Sequence, residues 1–414
     1  MSEVPHNLPV LQPAVGGGSE GTRAVHAPRP DFSQVRALGL ATYRTTAFEF
    51  DTAQDYADVL SDRAAGYTYS RIDNPTADAF ALGFAALEAH GLDRPVATQP
   101  FASGMAAIST VLLALCSTGS HVVAPAAVYG GTYGVIEHLL RRFGVDATFV
   151  DVTDTGAVGA AIRDTTALVW TETIANPTTA VADLPALAAV CRDAGIPLCV
   201  DSTFAPPPVC RPLAWGADLV VHSATKYIGG HSDVTGGVVV GDVERVAAVR
   251  RARIDLGGSL APDEAFLLHR GLATLPLRVV RHCATAAAVA AAIADHAGVE
   301  RVDYPGLPMH PQHDLATKLF ESGPDGTRYG AIVTITPKGG RQAGFDFADR
   351  LRVAQVATSL GGVHSVVSHV ASTTHRQFDD AALAAAGIAP GAVRFSIGLE
   401  DPEDLIADVQ QALS

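Results

Sequence analysis

From about residue 95 to residue 240 the chain repeats one pattern, a short apolar, β-branched run followed by a longer segment with helical spacing. The runs are His121-Val122-Val123-Ala124, Ala167-Leu168-Val169-Trp170, Pro197-Leu198-Cys199-Val200, Asp218-Leu219-Val220-Val221 and Gly237-Val238-Val239-Val240. Because they are apolar at consecutive positions, the sheet they build has no face for water, and helices must cover both sides. Strands joined through helices run mainly parallel, which places the chain in the α/β class. On such a sheet ligands bind beyond the strand ends, so the residues that follow each run are the first to search for chemistry.

A chain of 414 residues, 48% of them hydrophobic, holds more than one core. Residues 1–65 are predicted to form an N-terminal arm. Its first 30 or so residues are rich in Pro and Gly, lack apolar periodicity and are expected to be disordered; the rest lies on a neighbouring domain or subunit. Residues 66–265 form the large sheet domain. Beyond them an Ala-rich helix, Arg281 to His296, and a strand at Ala331-Ile332-Val333-Thr334-Ile335 predict a smaller α/β domain over 266–414. The formal net charge of −14 would repel a nucleic-acid backbone or an anionic membrane, so a small molecule is the expected partner. The five cysteines (Cys116, Cys191, Cys199, Cys210, Cys283) form no CxxC pair and sit mostly in apolar runs, as reduced core residues do, and no metal site is expected. With neither an apolar stretch of about 20 residues nor a secretory h-region, a cytoplasmic location is expected.

Directly after the run ending Val220-Val221-His222 comes Ser223-Ala224-Thr225-Lys226-Tyr227-Ile228-Gly229-Gly230-His231-Ser232-Asp233. A lysine beside two hydroxyls at a strand end, followed by glycines that admit close backbone approach, suits Schiff-base chemistry next to a phosphate; alone, it would far more often be a surface lysine, and the neighbouring segments reverse that. A desolvated amine loses its proton readily, as attack on an aldehyde requires. Asp201, ending the neighbouring run, is either a cap before the Pro206-Pro207-Pro208 loop or the carboxylate that keeps the ring nitrogen of pyridoxal 5'-phosphate (PLP) protonated. Ser103-Gly104-Met105 opens an apolar helix, either as a plain N-cap or as a start whose free N–H groups hold a phosphate.

Further segments complete a pattern: Tyr69-Ser70-Arg71-Ile72-Asp73-Asn74-Pro75-Thr76, Val128-Tyr129-Gly130-Gly131-Thr132, Asn176-Pro177, Tyr304-Pro305-Gly306-Leu307, Ser359-Leu360-Gly361-Gly362 and Val393-Arg394-Phe395-Ser396-Ile397-Gly398. With the lysine, aspartate and Ser103 segments they stand in the order found in the cysteine/methionine-metabolism γ-family of PLP enzymes. From about Tyr43 to the C-terminus the chain resembles that family, which includes cystathionine γ-synthase, cystathionine γ-lyase, methionine γ-lyase and the O-acylhomoserine sulfhydrylases. The resemblance implies the PLP-dependent aminotransferase-like fold (fold type I), with 66–265 as the PLP-binding domain. It implies that Lys226 holds the cofactor and shuttles protons, that Asp201 pairs with the pyridine nitrogen, and that Thr203 contacts the ring. Gly104, Met105, Ser223 and Thr225 would hold the phosphate, with Ser103 also among the cofactor-binding residues. Tyr69 and Arg71 would reach in from a partner subunit of a homotetramer, Tyr69 touching substrate as well. Tyr129 would stack on the ring and handle protons at the substrate amine and leaving group, and Arg394 would clamp the α-carboxylate with help from Ser359 and Asn176. The implied activity is γ-elimination on an uncharged γ-substituted L-amino acid of methionine or homocysteine type, giving a 2-oxo acid and ammonia. The alternative is γ-replacement, as in an O-acylhomoserine sulfhydrylase or cystathionine γ-synthase.

Several positions depart from the family pattern. Thr68 and Thr358 stand where cystathionine-processing members carry acidic residues for a distal ammonium, which turns the expectation away from cystathionine. Gly131 replaces a cysteine of the methionine γ-lyases. Ala371-Ser372-Thr373-Thr374-His375-Arg376-Gln377 resembles the sulfhydrylases, whereas Gly230-His231-Ser232-Asp233 resembles the lyases. Ser202, Ile174 and His364 replace an Asn, a Pro and a Glu, and His364 is either a core or interface histidine or a group that handles protons or contacts substrate.

Overall fold

A computed structural model of the protein describes residues 10–11, 19–26, 37–376 and 378–414. Eight strands make the larger sheet: β1 (Val10–Leu11), β2 (Val96–Phe101), β3 (His121–Pro125), β4 (Asp146–Val150), β5 (Thr166–Glu172), β6 (Leu198–Asp201), β7 (Leu219–His222) and β8 (Gly237–Gly241). Their spatial order is β1-β2-β8-β7-β6-β5-β3-β4. The five strands from β7 to β4 are parallel, and β8, β2 and β1 extend the edge antiparallel. The mainly parallel α/β sheet expected from the apolar runs is therefore present. Successive side chains of each run enter opposite layers: Val169, Val200 and Val220 pack on one side, Leu168, Cys199 and Leu219 on the other.

A second sheet carries, in order, Gln355–Val356, Val366–His369, Val393–Ser396, Ile332–Pro337 and Val299–Asp303. It is mostly antiparallel, and the helices Gly340–Arg350 and Pro402–Leu413 pack nearby. The two sheets are joined by one helix of 32 residues, Pro262–Ile293, which packs on Pro75–Glu88 from one side and Pro402–Leu413 from the other. This corrects the expected helix start at Arg281: the helix begins at Pro262 and runs through Pro276, so the boundary anticipated at 265/266 lies inside it. Of the N-terminal arm, β1 pairs with β2 and Glu20–Val25 packs on the long helix. The rest of the stretch expected to be disordered lies outside the described residues. All five cysteines are free, and all but Cys116 are buried. No described helix is long and apolar enough to cross a membrane, and the described residues contain no metal-binding cluster.

Candidate active site

A cavity of about 900 Å³ opens at the C-terminal ends of β5, β6 and β7, with Ser359 and Arg394 contributed from the second sheet's side. Asp201 closes β6 in register with Glu172 on β5. Its carboxyl is buried, which raises its proton affinity against the opposing pull of the Thr203 hydroxyl and amide. Thr203 donates its N–H to Asp201 Oδ1 at 3.0 Å, and its own hydroxyl accepts the Ser223 N–H at 2.9 Å, tying the end of β6 to the segment after β7.

Lys226 follows β7 by one turn, and its Nζ donates to Ser359 Oγ at 2.8 Å. Burial, and then the positive charge of Arg394, bring its amine down to about 8. Ser359 holds a left-handed backbone at φ 79°. Such a conformation costs a side chain about 1 kcal/mol or more and persists where neighbours fix it. Here Lys226 takes the hydroxyl, and Arg394 Nη2 donates to the carbonyl at 3.1 Å.

Arg394 lies on the strand Val393–Ser396, whose flanking Val393 and Phe395 point into the core. Its Nη1 donates to Asn176 Oδ1 at 3.1 Å, and the guanidinium stands 6.0 Å from the Phe204 ring centre. Burial lowers its pKa to about 10, so it stays cationic at neutral pH. No carboxylate pairs with it among the described residues, and its Nε is buried without a partner. A buried guanidinium in that state is a receptor for an anion.

Tyr129 precedes the short helix Gly130–Tyr133 and borders the cavity. Burial and the charge of Asp201 hold its hydroxyl above the ordinary tyrosine range, so at neutral pH it is a phenol with a proton to give. A Cβ at Gly131 would lie 2.6 Å from the Tyr129 ring and 2.6 Å from Met105 Sδ, so the absence of a side chain there sets the room for that ring. Opposite, the helix Gly104–Leu115 begins at the cavity, capped by Ser103, which accepts the Ala106 N–H at 3.0 Å. The first N–H groups, on Gly104 and Met105, have no partner within the helix. Ser223 approaches this start so closely that a Cβ on Gly104 would sit 2.6 Å from its Cβ.

These features fit PLP. A buried carboxylate without a cation matches a protonated ring nitrogen, a half-buried amine with a lowered pKa matches an aldehyde, and a helix start beside a serine matches a phosphate.

Of the residues singled out in the sequence, Gly104, Met105, Tyr129, Asn176 and Asp201 line this cavity, as do Thr203, Ser223, Lys226, Ser359 and Arg394. Ser103 and Thr225 stand just behind it: the Thr225 hydroxyl donates to Gly236 O at 3.2 Å and accepts its N–H at 3.0 Å. Tyr69 and Arg71 are not brought into this chain's own cavity. They lie together on the surface, Arg71 5.8 Å from the Tyr69 ring centre and donating to Ile254 O at 2.6 Å. Among the departures, Gly131, Ile174 and Thr358 line the cavity, as do Ser372, Thr373, Thr374 and Arg376. Ser202 does not; its hydroxyl is buried between Thr173 and Ala205. His364 is exposed and outside the cavity, so it is no core histidine. One group was missed: Glu172, buried in the cavity wall, whose position after the run Ala167-Leu168-Val169-Trp170 parallels that of Asp201 and was the available signal.

The fold and site define a PLP-dependent enzyme. The family described as Cys/Met metabolism PLP-dependent enzyme matches residues 21–414. The chain is 40% identical over 382 residues to L-methionine gamma-lyase of Treponema denticola, covering 91% of this chain and 92% of that one. It is also 40% identical over 400 residues to cystathionine gamma-synthase of Mycobacterium tuberculosis, covering 96% and 97%. A solved Campylobacter jejuni chain that contains N'-pyridoxyl-lysine-5'-monophosphate superposes with a TM-score of 0.89 at 30% identity, covering 96% of this chain and 100% of that one. The chain belongs to the Cys/Met metabolism PLP-dependent enzyme family.

Proposed function

We propose that the protein is a γ-lyase, releasing the γ-substituent of an uncharged amino acid of methionine or homocysteine type and yielding a 2-oxo acid and ammonia. Its cofactor supplies an electron sink conjugated to the substrate's Cα. Lys226 would hold PLP and, once displaced by the substrate amine, carry protons from Cα and Cβ; Asp201 would face the ring nitrogen. Gly104, Met105, Ser223 and Thr225 would hold the phosphate, with Ser103 fixing the helix start and Thr203 fixing Asp201. Arg394, aligned by Asn176 and Ser359, binds the α-carboxylate in this reading, and the Tyr129 phenol protonates the departing γ-group.

The observation that carries the choice of substrate is the charge of the cavity wall. Its two carboxylates, Glu172 and Asp201, sit at the strand ends, while the wall beyond Thr358 offers hydroxyls and the cationic Arg376. A distal ammonium, as in cystathionine, would find no partner there. The same wall favours a second reading: Ser372, Thr373, Thr374 and Arg376 would also suit the acyl group of an O-acylhomoserine, and hence γ-replacement. Incubating holoenzyme with methionine, homocysteine, cystathionine and O-acetylhomoserine, each with and without sulfide, separates the two. Oxo acid and ammonia from methionine or homocysteine without added thiol support the lyase; turnover only with a thiol acceptor sinks it. The proposal includes a homotetramer whose sites borrow Tyr69 and Arg71 from a partner, supported by the placement of both outside their own cavity. It also includes a cytoplasmic location, supported by the free state of the five cysteines.

A further inference from the structure

The chemistry above leaves one buried group of the cavity wall without a task. Glu172 ends β5, and its carboxylate is shared between two backbone donors: Tyr129 gives its N–H to Oε1 at 2.7 Å, and Asn176 gives its N–H to Oε2 at 3.3 Å. Tyr129 is the N-cap of Gly130–Tyr133, and this carboxyl group, from a different strand, accepts its N–H as the acid of a capping box does. On its other side, the residue Glu172 holds is the one whose Oδ1 accepts from Arg394. One carboxylate thus touches both the backbone that aims the phenol and the loop that aligns the guanidinium. Glu172 forms no ion pair among the described residues. Burial, and then the charge of Asp201, raise its pKa to about 8 against the opposing pull of the two backbone donors.

We propose that Glu172 is a positioning residue that fixes Tyr129 and the Asn176–Arg394 pair relative to each other, so that the proton donor and the bound carboxylate keep one geometry. The inference rests on the reading of Tyr129 and Arg394 given above. It makes Glu172 a contributor to both turnover and substrate binding without contact with the reacting atoms.

The test uses holoenzyme of Glu172→Ala and Glu172→Gln. Ala removes both acceptors; Gln keeps one oxygen and turns an NH₂ toward the other donor. In Glu172→Ala, amide hydrogen exchange in peptides containing Tyr129 and Asn176 is expected to speed up by roughly tenfold, with a smaller change in Glu172→Gln. With the amino acid that the wild type turns over, kcat falls by roughly tenfold or more and KM rises in Glu172→Ala, and Glu172→Gln recovers part of both. Unchanged exchange at both peptides, or unchanged kcat and KM, would overturn the inference. If Glu172→Ala fails to fold, Glu172→Gln alone decides, since loss of either contact must speed exchange at Tyr129 or Asn176. Tyr129→Phe separates the two levels: full activity in that variant refutes the role given to the phenol, while the exchange result still judges Glu172.

Discussion

At the scale of single residues, the site works by withholding compensation. Asp201 and Arg394 are buried and Lys226 is half-buried, each without an ion-pair partner among the described residues, which leaves each of them seeking a ligand charge or bond. For Lys226 the consequence is measurable. Its amine is lowered to about 8, so the neutral, nucleophilic form gains population as pH rises through that value and is nearly complete above it. The rate at which apoprotein acquires the visible absorbance of bound PLP should therefore climb with pH across about 8 and then level off. A rate that keeps rising toward the range of an ordinary exposed lysine would contradict this. Most of these residues were legible in the sequence because each lies at the end of an apolar run or inside a short motif. Glu172 was equally placed, but a carboxylate after a strand has no chemistry until its partners, 43 and 4 residues away, are known.

At the scale of elements, close approach matters more than any one contact. The helix Gly104–Leu115 meets the segment after β7 only because residue 104 has no side chain. A Cβ there would lie 2.6 Å from Ser223 Cβ and 2.9 Å from its Cα, and backbone must move to relieve that. Gly104→Ala should lower the thermal stability of the apoprotein by a packing cost of roughly 1–3 kcal/mol and, by shifting the helix start, raise the PLP dissociation constant by about tenfold. Equilibrium titration of the apoprotein with PLP checks this, and wild-type affinity would show that the helix start holds nothing. The long helix teaches the converse lesson. Pro276 lies inside the helix and removes the donor for the Leu272 carbonyl four residues back, yet the helix continues; one residue before that carbonyl, Gly271 O accepts from Arg278 at 2.8 Å. The same guanidinium donates to the carbonyls of Tyr227 at 2.6 Å and Ile228 at 3.2 Å, so this residue of the helix also steadies the chain just beyond Lys226.

At the scale of the whole molecule, the segment carrying Tyr69 and Arg71 is firmly held yet faces away from its own cavity. Arg253 is buried and donates to the Arg71 carbonyl at 3.2 Å, and Ser259 Oγ donates to the same carbonyl at 2.5 Å. Asp73 is buried against Arg250 and Arg253. Such a rigid, outward display suits service to a second subunit. Two variants inactive for different reasons, Arg71→Ala and Lys226→Ala, should then complement when unfolded and refolded together. About a quarter of wild-type activity is expected, since half of randomly formed dimers are hybrids with one intact site of two. No recovery from a mixture shown to contain hybrids would confine the site to one chain.

By itself the sequence determined the sheet and pointed to the candidate reactive groups, because both are written within a few consecutive residues: apolar runs that admit no wet face, and motifs that end them. Tertiary structure alone decided which distant groups meet. Ser359 lies 133 residues from Lys226, and Asn176 lies 218 from Arg394; their hydrogen bonds depend on how the second sheet seats against the first. It also decided which departures matter, turning Ser202 into a buried structural hydroxyl and leaving Gly131 beside the Tyr129 ring. The division follows from range: strand and helix preferences act between neighbours along the chain, whereas burial and partnership are properties of the packed whole.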